Sequence, residues 1–177
     1  MITGMDHVLI DCTAIDEGEH TYSALLGRDP DWRSTDPGGS STVIFQLENT
    51  ALEIMAPHGG GPLARRLHSM IEQDGAGQKS LIFSSDKQAD DRAAFDRRAL
   101  KPDEIAPGES VDPYSGKARY WSRFRLDEQA THGVRIFALQ RKTPDPLACK
   151  PAKAGAMTGL DHVVINTPNP DRATALY

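Results

Sequence analysis

The stretch ARYWSRFRLD, residues 118–127, gathers side chains that bind rather than merely fill space. On an extended chain, Arg119, Trp121, Arg123 and Arg125 share one face, while Tyr120, Phe124 and Leu126 share the other. If the apolar face packs on a helix, the arginines and Trp121 face the opposite way, and Arg135 joins them from the next strand-like run. Guanidinium forks match carboxylates and phosphates, and a tryptophan face suits a planar or cationic group. Arg119, Trp121, Arg123 and Arg135 therefore form a candidate surface for a small anionic molecule. The same pattern also fits a basic stripe that only solvates a sheet face.

A second pair lies near the N-terminus. His7 alternates with Val8 and Ile10, and Glu53 is flanked by Leu52 and Ile54. Each can thus point away from the packed face of its own strand. A structural role is open to both. His7 can bond a backbone carbonyl or a carboxylate across the sheet, and Glu53 can pair with an arginine opposite.

These residues need strands to position them, and the chain supplies two rounds of one pattern. The first runs from the strand at His7–Asp11 into a helix, with Asp16-x-x-Glu19 read as a capping box and Gly27 as its C-terminal cap. Short strands follow around Trp32, at Ser41–Leu47 and at Ala51–Ala56. Pro62 opens a linking helix with Leu63, Leu67, Met70 and Ile71 on one face. The second round has a strand from Gly77 and a helix capped by Asp86 that reaches about Leu100. A Pro-, Gly- and Glu-rich loop (102–117) then leads to strands at Ala118–Leu126 and Val134–Arg141.

A third round begins and stops. TGMDHVLI at 3–10 returns as TGLDHVVI at 158–165, an offset of 155 that also matches Asp16 with Asp171 and Tyr22 with Tyr177. The division is a first module at 1–57, a linker helix at 58–76, a second module at 77–142, a linker at 143–156 and the start of a truncated third module at 157–177. One strand and half a helix cannot bury an apolar face, so the chain reads as part of a longer design. The strand at 158–165 is expected to pair within the sheet or with another copy, which makes a homo-oligomer the expectation.

Composition narrows the function. A net charge of −5 argues against a general nucleic-acid binder, which needs a positive field. No apolar run reaches the roughly 18 residues of a membrane helix, and no signal peptide opens the chain. Cys12 and Cys149 are too few for a disulfide framework. The expected setting is cytoplasmic.

A unit opening G-[ML]-D-H-V-x-I, continuing Tyr-x-x-Leu-Leu-Gly and closing A-L-E-I-M-A-P resembles the vicinal oxygen chelate superfamily, in its glyoxalase, bleomycin-resistance and extradiol-dioxygenase branch. Motifs carry the resemblance over 3–57 and 158–177, and element order carries it over 77–142. It implies an α+β fold in which paired βαβββ modules curl a mixed sheet into a cup, with helices outside. It also implies metal ligands on the first and last strands of a module, here His7 and Glu53, with Glu53 also catalytic. The implied cofactor is a divalent metal, Zn, Fe, Mn or Ni, chelating adjacent oxygens of a small substrate. The second module aligns Ser80 with His7 and Arg135 with Glu53, neither a usual ligand, so His162 would have to be the third. The implied activity is that of a metal-dependent lyase, isomerase or dioxygenase. The alternative is a metal-free binding protein with an arginine-lined cup.

Overall fold

A computed structural model describes residues 1–176; Tyr177, the counterpart of Tyr22, lies outside the described residues. The first round contains β1 (Ile2–Asp11), α1 (Ile15–Leu26), β2 (Trp32–Asp36), β3 (Ser40–Gln46) and β4 (Ala51–Pro57). Helix α2 (Pro62–Asp74) leads to β5 (Gly77–Ser85), α3 (Gln88–Arg97), β6 (Ala106–Val111), β7 (Ala118–Arg125) and β8 (Arg135–Arg141). Helix α4 (Pro170–Leu176) ends the described chain.

The strands form one eight-stranded sheet in the order β2-β3-β4-β1-β5-β8-β7-β6. Strand β1 runs parallel to β4, β5 runs parallel to β8, and β1 and β5 pair antiparallel at the centre. The two halves thus repeat one arrangement about a central seam. The outer edges meet again where Trp32 Nε1 on β2 donates to Ser110 Oγ on β6 at 2.8 Å. This contact curls the sheet into a nearly closed cup, the α+β architecture that the resemblance implies.

Alternation sorts the side chains. Ile10, Val43, Phe45 and Ile54 pack with Leu26 of α1 on the outer face. Phe124, Leu126, Ile136 and Ala138 form the matching core, joined by Phe83 and by Phe95 of α3. The rings of Phe95 and Phe124 meet edge to face, with centroids 6.1 Å apart. What remains on the inner face is the cup lining. Both cysteines are free, and among the described residues no helix is long and apolar enough to cross a membrane.

Several local expectations are corrected. Helix α1 takes Ala14 as its N-cap with no side-chain bond; Asp16 lies in the first turn and Glu19 pairs with Arg33 instead of closing a capping box. Asp86 pairs with the N-terminal amine instead of capping α3, whose N-cap is Lys87. That helix ends at Arg97 rather than near Leu100. Strand β6 forms inside the expected loop, as an edge strand where Pro107 costs little. The strand expected at 158–165 is absent, although α4 begins at Pro170, the position the repeat assigns to the start of α1. Its β1 slot, between β4 and β5, is already filled.

Candidate functional site

The cup holds a cavity of about 440 Å³. Strands β1 and β4 line one side through His7, Leu9, Ala51, Glu53 and Met55, while β5, β7 and β8 supply Ile82, Trp121, Arg123, Phe137 and Leu139.

A bulge shapes the chemical wall. Met5 stands opposite Phe83 and His7 opposite Ile82, so Asp6 is an extra residue on β1. In a regular strand Asp6 and His7 would face opposite ways; the bulge brings both to the cavity. His7 Nδ1 lies 2.8 Å from Asp6 Oδ1, and His7 Nε2 lies 3.2 Å from Glu53 Oε2. Asp6 also accepts from Arg141 Nη2 at 2.7 Å, from Arg141 Nε at 2.9 Å and from Ser84 Oγ at 3.0 Å. Burial works to raise the Asp6 carboxyl, but the bonds from His7 and Arg141 and their charges overcome it and hold the group well below the usual carboxylate range. Asp6 is therefore ionised, and Nδ1 carries the proton that it accepts. The other ring nitrogen, Nε2, faces Glu53 Oε2 across 3.2 Å at the cavity wall.

The arginines divide sharply. Arg119 is buried, with Nε and Nη2 at 2.9 and 3.2 Å from the two Asp145 oxygens and its guanidinium 5.5 Å from the Trp32 ring centroid. Arg125 pairs with Asp103 outside the cavity lining. Arg135 also lies outside the lining, paired with Glu128 and 3.7 Å from Asp74. Arg123 reaches the cavity over the Phe137 ring, 5.4 Å from its centroid, and among the described residues no carboxylate pairs with it. It is the arginine with an open fork. Trp121 also lines the cup, over the backbone of Gly108. A Cβ at 108 would overlap indole Nε1 and Cε2. Gly108→Ala is expected to displace the indole at a cost of about 1–3 kcal/mol. Tryptophan emission in a Trp32→Phe background and the urea midpoint read this; unchanged values would refute the contact.

The register also corrects the sequence alignment of the modules. Leu9 pairs with Glu53, and Ile82 pairs with Phe137. With Ser80 set on His7, the counterpart of Glu53 is Phe137, not Arg135. The second half thus offers an apolar wall where the first offers an acid and a base.

This arrangement tests the implied metal. His7 and Glu53 give two donors, where a stable site takes three or four. His162 is mostly exposed and bonds Asp161 at 2.6 Å. Among the described residues no three His, Cys, Asp or Glu side chains are grouped to hold an ion, so the structure does not bring His162 to the pair. The donor set does not fit a metal centre. At the end of β1, Asp11 is buried with neither carboxylate oxygen hydrogen-bonded among the described residues. Burial pushes its carboxyl up, against the charges of Arg135 and Lys79.

The family model described as a glyoxalase-like domain matches residues 5–177. No curated protein sequence matches the chain. A hypothetical protein from Bacillus halodurans superposes with a TM-score of 0.64 at 17% identity, over 78% of this chain and 94% of that one. A variant of methylmalonyl-CoA epimerase from Streptomyces coelicolor, in complex with 2-nitronate-propionyl-CoA, gives 0.64 at 16% identity, over 82% and 99%. Methylmalonyl-CoA epimerase from Mycobacterium tuberculosis gives 0.63 at 15% identity, over 78% and 88%. At these identities the likeness is one of fold.

Proposed function

The chain belongs to the glyoxalase-like domain family, within the vicinal oxygen chelate superfamily, and from that premise we propose that it is an acid–base enzyme of the isomerase class acting on a small anionic substrate. The observation that carries this is the Asp6–His7–Glu53 line on the cavity wall. Glu53 takes a proton from the carbon beside a carbonyl, and the C–H electron pair moves onto the carbonyl oxygen as an enolate. The proton then returns from the same Glu53–His7 wall, either to that carbon after the enolate has turned over in the cup or to the adjacent carbon when that carbon carries the oxygen. Arg123 holds the anionic end of the substrate, and Trp121 and Phe137 hold its body. Ionised Asp6 keeps the imidazole oriented and stabilises it when doubly protonated. The methylmalonyl-CoA epimerase relatives suggest where to look first: short 2-substituted acids and their thioesters.

The test is solvent-deuterium incorporation, followed by NMR, across such a panel in D₂O. At least one member is expected to exchange beside its carbonyl far above the buffer rate. Tight binding with no exchange in any member would overturn the enzyme reading. It would favour a metal-free binding protein, a reading that draws on the apolar Ile82–Phe137 wall, which offers no second acid or base.

A further inference from the structure

The segment after β8 does more than link. Lys142 N still donates to Tyr120 O at 2.9 Å, but residues 143–150 leave the ladders. This strap inserts two side chains. Leu147 is buried among Trp32, Ile44 and Ala51, on the first-module side of the cup. Asp145 enters the cavity lining. Its carboxylate accepts from Arg119 Nε and Nη2 at 2.9 and 3.2 Å, from Arg141 Nη1 at 3.0 Å and from the Leu147 N–H at 3.0 Å.

That is how a fork-shaped guanidinium receives a free carboxylate ligand. Two residues further on, an isobutyl group fills an apolar recess. Together they trace a short acid with a branched aliphatic arm. The charges agree. Arg119 and Arg141 face Asp6 and Asp145. If Asp145 withdraws, Arg141 keeps Asp6 but the buried Arg119 loses its carboxylate partner, and a buried positive charge is left uncompensated. Such a charge demands an anion.

We propose that Arg119 and Arg141 form a carboxylate subsite that the chain fills with its own Asp145, and that the carboxylate of a short branched acid occupies it when the strap at 143–150 lifts. The inference rests on the cup being the ligand site and extends the substrate class to acids with a carboxylate and a small aliphatic arm. It places a second anion position in the cup, in addition to that at Arg123.

The experiment measures binding, not turnover. Isobutyrate is titrated into the chain and into Asp145→Ala, with chloride at matched ionic strength as control, by thermal shift and calorimetry. The variant is expected to bind isobutyrate at least about tenfold more tightly than the unaltered chain, with no equivalent chloride effect. Adding Arg119→Ala is expected to abolish the gain. Asp145→Asn, which keeps the side-chain size and an acceptor for the Leu147 N–H, is expected to show the same gain. It serves if the Ala variant does not fold. Restoration of the folded Ala variant by isobutyrate also supports the subsite. Affinities within twofold of the unaltered chain in both variants, or a gain that survives Arg119→Ala, would overturn it. Failure to find deuterium exchange would leave this result untouched, since no chemistry is read.

Discussion

Glu53→Gln is expected to lower solvent-deuterium incorporation by about 10²–10⁴-fold, the usual contribution of a positioned general acid or base. The substitution keeps the shape of the side chain and its hydrogen-bonding reach toward His7 Nε2 at 3.2 Å. What it removes is the ability to take or hold a proton. Binding of the same substrate is expected to change much less, because Arg123 and the aromatic wall are untouched. This split between turnover and affinity separates a proton-transfer role from a structural one. Exchange within about threefold of the unaltered chain would show that the His7–Glu53 pair is only structural.

The second large effect is on stability. Asp6 is buried and receives Arg141, His7 and Ser84 together. Asp6→Asn leaves the Arg141 guanidinium short of one counter-charge in a buried setting, and breaking such a pair costs about 3–5 kcal/mol. The pH dependence has a definite sign. The folded-state carboxyl is held below its unfolded value of about 3.9. Its contribution is therefore complete above about pH 4 and is lost as pH falls through the lower folded value. Urea midpoints of the unaltered chain and of Asp6→Asn should differ most at neutral pH and converge in acid. Asp6→Asn combined with Arg141→Met should recover part of the loss, because both partners are then gone. A pH-independent difference would mean that the loss comes from packing rather than charge.

Much of the scaffold was legible because local rules and tertiary packing agree. Val8 and Ile10 are buried, Ile10 in the core with Leu26 of α1, while His7 faces the cup, as simple alternation requires. Gly27 caps α1 with a φ of 66°, and Pro62 opens α2. The misses have equally local causes. Strand β6 hid behind Pro107 and Gly108, residues that an edge strand tolerates. Asp6 is not legible as a cup residue, because a bulge breaks the alternation that points His7 inward. Asp145 sat in a stretch of linker composition, and nothing in TPDPLACK announces a carboxylate aimed at two arginines 4 and 26 positions away. The strand faces of Arg119 and Arg135 are visible in the sequence, but their partners Asp145 and Glu128 are not.

The repeated octapeptide has a consequence of its own. TGMDHVLI lies between two ladders, whereas TGLDHVVI lies in none. The Asp–His bond is present in both copies, at 2.8 and 2.6 Å, so that contact belongs to the dipeptide and not to the sheet. Apart from the Leu160 N–H, which donates to Asn49 Oδ1, the amide protons of the two stretches thus form a matched set inside one molecule, nearly equal in intrinsic exchange chemistry and opposite in shelter. Their ratio of protection isolates the free energy of opening the central seam, with sequence effects largely cancelled and without a single substitution.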